Sequence, residues 1–208
     1  MNKTNSIHKF TAGLLFLLCL ILSSETKCFA GGSVEEQIGP FNPYQIMTES
    51  KLISEFGEGY VHIEKDMDNT IIMDKKHIYY IPKQNLWLQL GMSHVLDENL
   101  ERSIESILLT RQNLCDKKFI AKKPFGVLST AHGIRIGDSI KKVTNTYGKP
   151  FELINLRDKE GSSILAEELK IKKGKVLRYS NNKEDELLFA EFYFDAKGLH
   201  SILISAEE

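Results

Sequence analysis

Histidines and carboxylates are the side chains of this chain that could do proton or metal chemistry, and their spacing limits what they can do. His62, His77, His94, His132 and His200 are widely scattered, with no H-x-x-x-H, H-E-x-x-H or cysteine–histidine cluster of the kind a zinc site uses. A nucleophile needs a neighbouring base that is itself oriented by an acid. Ser129-Thr130-Ala131-His132 offers a hydroxyl and an imidazole but no evident acid, and no G-x-S-x-G elbow occurs. Gly133 and Gly137 precede a helical pattern, yet no Lys-Ser/Thr follows as a phosphate loop requires, so they serve the backbone turn. The acidic runs Glu35-Glu36, Glu167-Glu168 and Glu184-Asp185-Glu186 read as solvated faces or loop tips. The sequence therefore assigns no catalytic residue, no metal ligand and no cofactor-binding residue. It points to a non-catalytic protein that carries no cofactor, with an enzyme whose residues converge only in three dimensions left as a further alternative.

Aromatic residues are the one group with binding promise. Tyr79, Tyr80, Trp87, Phe189, Phe192, Tyr193 and Phe194 concentrate in segments that read as strands. Alternation sends Phe192 and Phe194 to one face of a sheet and Phe189 and Tyr193 to the other. Most of these rings must fill a core. Any that remained exposed would mark a partner surface, and the candidate interaction anchors are Trp87, Tyr80, Phe189 and Tyr193.

The elements that would position them are best written in residues 130–150. Ile134 and Ile136 alternate with His132 and Arg135, which predicts a short strand ended by Gly137. Asp138 or Ser139 can cap a helix, Ile140, Val143 and Tyr147 recur on one helical face, and Gly148 followed by Pro150 stops it. Residues 43–57 repeat this plan. With Gly57 set on Gly148, Phe56 falls on Tyr147, Leu52 on Val143 and Thr48 on Ser139.

After Gly57 come short β-branched or aromatic runs at 70–74, 77–81, 85–90 and 103–110. After Gly148 come runs at 152–156, 175–179, 187–194 and 199–205, with Asp195-Ala196-Lys197-Gly198 as a hairpin turn. Residues 162–169 permit a further short helix, and Gly161 and Gly174 equally permit a long hairpin there. The predicted fold class is α+β: two helix-on-antiparallel-sheet units, each a two-layer sandwich, in tandem repeat. The boundaries are 1–30 for a signal peptide, 31–40 for a flexible leader, 41–118 for the first unit and 119–208 for the second.

The amino terminus reads as an address. Lys3 and Lys9 precede an apolar run at 11–22, and Cys28-Phe29-Ala30 ends in a small residue, the layout of a secretory signal peptide cleaved after Ala30. The apolar run is shorter than the roughly 20 residues a bilayer span needs, so no stable membrane anchor is expected after cleavage. Lys27 beside Cys28 argues against lipid attachment there. The segment carries three lysines and one glutamate, so its loss takes the formal net charge from −1 to −3. That balance supports neither nucleic-acid binding nor a polybasic membrane patch. Cys115 is the one cysteine beyond residue 30, so no internal disulfide staples the exported chain.

Residues 133–150 resemble the helix-start signature of the small lipoprotein subunit family of the outer-membrane β-barrel assembly machinery. The tandem order is similar to the two-repeat scaffold of the secreted β-lactamase inhibitor proteins. The resemblance implies a helix packed on an antiparallel sheet and a bias towards binding proteins rather than catalysis. It carries over no functional residue, and it departs from the lipoproteins in lacking an acylation site. The expected function is a non-catalytic interaction module of the bacterial cell envelope, periplasmic or extracellular, whose partner is another envelope or secreted protein. The alternative is a periplasmic sensor of a small molecule or peptide, with its cleft between the repeats.

Overall fold

The structure is a computed structural model that describes residues 37–65, 72–92, 102–157, 162–183 and 186–207. The expected signal peptide at 1–30, most of the expected leader and His94 lie outside the described residues. The elements run β1 (Ile46–Met47), α1 (Glu49–Phe56), β2 (Tyr60–Lys65), β3 (Ile72–Ile81), β4 (Leu86–Met92), β5 (Arg102–Thr110), α2 (Ile140–Tyr147), β6 (Glu152–Asn155), α3 (Ile164–Glu168), β7 (Lys175–Lys183), β8 (Glu186–Asp195) and β9 (Gly198–Glu207). The molecule is mixed and sheet-rich. Its nine described strands form one antiparallel sheet in the order β2-β3-β4-β5-β9-β8-β7-β6, with β1 added beside β5.

The two longer helices form for local reasons. Thr48 and Ser139 cap them by accepting from the backbone N–H three residues on, each at 3.2 Å. Gly57 and Gly148 end them at φ of 88° and 80°, a region that favours glycine, and each donates its N–H to a carbonyl four residues back at 2.8 Å. Leu52 and Phe56 of α1, like Val143 and Tyr147 of α2, are buried. Burying such a side chain contributes about 1.5–3 kcal/mol. Tyr79 on β3 donates its hydroxyl to the Gly57 carbonyl, and Tyr179 on β7 does the same to Gly148, each at 3.2 Å.

Strands β5 and β9 join the sheet across the 118/119 boundary. Leu108 lies opposite Leu203, Ile107 opposite Ile204 and Leu109 opposite Ile202. One face of the sheet packs Leu88, Leu90, Phe192 and Ile202 against α1 and α2 in a single apolar core. The opposite face is not left free, as a two-layer arrangement would leave it. Leu165 of α3 and Leu169 just after it pack on Val176, Phe189, Tyr193 and Leu203, while Leu114 and Cys115 cover Ile78, Tyr80 and Trp87. All seven residues of β4 are buried for that reason.

Three expectations change. Residues 132–136 form a tight loop instead of a strand. Thr130 captures it, its backbone N–H reaching Ile134 O at 2.9 Å and its hydroxyl accepting from Ile134 N at 3.1 Å. The expected break between the runs at 70–74 and 77–81 is absent, because Ile72–Ile81 continues as one strand, while residues 70 and 71 lie outside the described residues. The end of the 31–40 leader is fixed: Ile38 is buried and bridges both Phe41 and Thr130.

Candidate functional site

The second face of the sheet carries the polar groups. On a strand, residues two apart share a face, so Tyr60 and His62 of β2, Lys76 and Ile78 of β3, and Gln89 of β4 point the same way. With Leu114, Glu167, Glu168 and Lys170 they line a cavity of about 500 Å³, within the range of small-molecule sites.

Helix α3 forms the far wall and is held at both ends by buried polar bonds. At its start the Glu191 carboxylate, fully buried on β8, accepts from Ser163 Oγ and from Leu165 N, each at 2.8 Å. Arg178 Nε donates to the other oxygen of Glu191 at 2.8 Å and so compensates the buried charge. At its end Glu168 accepts from Lys76 Nζ at 2.9 Å and from Gln89 Nε2 at 3.0 Å. Lys76 and Gln89 are both buried. Burial pulls the Glu168 pKa up, but the hydrogen bonds from Gln89 and Lys76, with the charges of Lys76 and His62, outweigh that and hold it below the usual carboxylate range.

This arrangement suits binding better than proton transfer. Glu168 stays ionised at neutral pH and already accepts two donors, which makes it a poor base. Lys76, Gln89, Tyr60, His62 and Lys170 supply donors around the cavity, with two carboxylates beside them. A ligand bearing both acceptors and donors matches that lining.

The four anchors expected from sequence are placed elsewhere, and none presents an exposed ring. Trp87 is 3% exposed, donates to the Cys115 carbonyl at 3.2 Å and packs against Tyr80 with ring centroids 4.9 Å apart. Lys117 Nζ caps both rings, 5.0 Å from the Tyr80 centroid and 5.6 Å from that of Trp87. Phe189 and Tyr193 are buried under α3, and Tyr193 donates to the Lys173 carbonyl at 3.0 Å. These rings are core residues of the second face, because α3 and the 111–120 segment cover it.

The histidines stay dispersed. His62 is at the cleft, His77 is buried with Nε2 3.3 Å from Glu49 Oε1, His132 stacks edgewise on Tyr147, and His200 does so on Tyr193. Among the described residues no group of three metal-ligating side chains forms a cluster. Thr130 Oγ1 accepts from the Tyr147 hydroxyl at 2.8 Å, so it serves the fold. Burial, then the Asp116 charge, push the Cys115 thiol up, away from thiolate reactivity. No helix among the described residues is long and apolar enough to cross a membrane.

Sequence reasoning set aside His62 as scattered and Glu168 as solvated, and did not single out Lys76 or Gln89. The available signal was polar residues inside apolar strand runs, above all Gln89 within Leu86-Trp87-Leu88-Gln89-Leu90. Comparison with known families, curated proteins and solved structures gives no match to this chain.

Proposed function

We propose that the protein is an exported, non-catalytic binding module of the bacterial cell envelope, built from two related helix-on-sheet units. Its binding site is the polar cleft between α3 and strands β2–β4. The observation that carries this reading is the Lys76–Glu168 contact at 2.9 Å, which draws groups from both halves of the chain to one cavity. The matched caps, glycine stops and tyrosine bonds of α1 and α2 support the relation between the units. The resemblance of residues 133–150 to the assembly-machinery lipoproteins favours a protein or peptide as ligand. The size and polarity of the cleft favour a small polar molecule or a peptide end, as a sensor would take.

Site-specific photocrosslinking separates these possibilities. A benzoyl-phenylalanine in place of His62, at the cleft, is compared with one in place of Phe151, which is 79% exposed beside β6. The proposal expects a product from the cleft position alone, either a protein band or a small mass adduct. Equal products from both positions, or none from His62, would count against it.

A further inference from the structure

A second concave surface lies where the end of β3 and the turn after it meet residues 120–125. Tyr80, Ile81, Pro82, Ile120, Pro124 and Phe125 give an apolar pocket of about 220 Å³, rimmed by Lys83, Lys122 and Lys123. It adjoins a further apolar pocket of about 360 Å³ over Phe41, Phe56 and Phe125, and the two share Lys123, Pro124 and Phe125. Glu55 is the sole carboxylate among the described residues lining either one.

The charge here opposes that of the whole chain. Residues 117–123 contain four lysines and no acid, in a protein whose net charge is −1. Among the described residues no ion pair neutralises Lys83, Lys122 or Lys123. Lys123 lies over the Phe56 ring at 5.7 Å. The backbone behind the rim is fixed: Tyr80 N donates to Phe119 O at 2.7 Å and Lys122 N to Phe56 O at 2.8 Å. A pre-formed rim reduces the ordering cost of binding.

We infer that this groove docks an extended acidic peptide segment, with apolar side chains entering the two pockets and flanking carboxylates meeting Lys83, Lys122 and Lys123. An anionic bilayer is the poorer fit, since much of the apolar surface is recessed in concavities that a flat surface cannot enter. No group of the polar cleft lines this groove, so the two sites stand or fall separately.

The test uses fluorescence anisotropy of the exported chain with a labelled hexapeptide alternating glutamate and leucine. A lysine–leucine hexapeptide and vesicles of anionic phospholipid serve as comparisons. The acidic peptide should bind, bind more weakly as salt rises, and lose about tenfold or more in affinity to a Lys83→Glu/Lys122→Glu variant. Both lysines are exposed, and an unchanged melting temperature of the variant excludes a folding defect. Equal binding of the basic peptide, undiminished binding by the folded variant, or binding to vesicles alone would overturn the inference.

Discussion

Lys76 on β3 and Glu168 at the end of α3 meet at 2.9 Å although 92 residues separate them in sequence. Gln89 donates to the same carboxylate from the neighbouring strand. The contact closes one end of the polar cleft and fixes the helix that covers the second face of the sheet.

This carboxylate sets a pH dependence. Its folded-state pKa is lowered, so the folded protein binds fewer protons there than the unfolded chain. The stabilisation is present above the ordinary glutamate value, about 4.3, and is lost as pH falls through the lower folded value. In urea titrations the wild type should lose stability between about pH 5 and pH 3 more steeply than Glu168→Gln. Identical slopes would contradict the assignment.

Arg178→Met tests the other end of α3. It leaves the Glu191 charge buried without its guanidinium partner, and the expected cost is about 3–5 kcal/mol by chemical denaturation. A loss below about 1 kcal/mol would mean that the Glu191 charge is not compensated in this way.

Tyr79→Phe and Tyr179→Phe remove equivalent hydrogen bonds to the helix-stop carbonyls. Each should cost about 1 kcal/mol, and the double variant should show the sum. Burial pushes the Tyr179 hydroxyl up to about 12, so it remains a donor throughout the neutral range. One large effect and one null effect would break the proposed equivalence of the units.

Trp87→Ala should destabilise the fold by about 3–5 kcal/mol, read as a lowered melting temperature, because the ring is core. Retained stability would show that its packing against Tyr80, under Cys115, is dispensable.

Both longer helices were legible in the sequence because caps, apolar spacing and glycine stops act within about ten residues. The split of Phe192 and Phe194 from Phe189 and Tyr193 was legible for a similar reason, since strand alternation is local. What covers the second face was not. The docking of α3 depends on Glu191 bonding Ser163 across 28 residues and on Lys76 bonding Glu168 across 92. No local pattern encodes such partners, so Trp87 looked exposable and Glu168 looked solvated. The expected strand at 132–136 failed through one side chain, the Thr130 hydroxyl, which binds Ile134 N instead of leaving it to a neighbouring strand.

The most direct test is a thermal-shift screen of residues 31–208 against fractionated low-molecular-weight and peptide components of bacterial cell envelopes, with His62→Ala in parallel. His62 is exposed at the cleft, so its loss should spare the fold and impair the site. The account predicts a fraction that raises the wild-type melting temperature and leaves the variant unmoved. A screen in which no fraction shifts the wild type, or in which both proteins shift alike, would contradict a ligand site in this cleft.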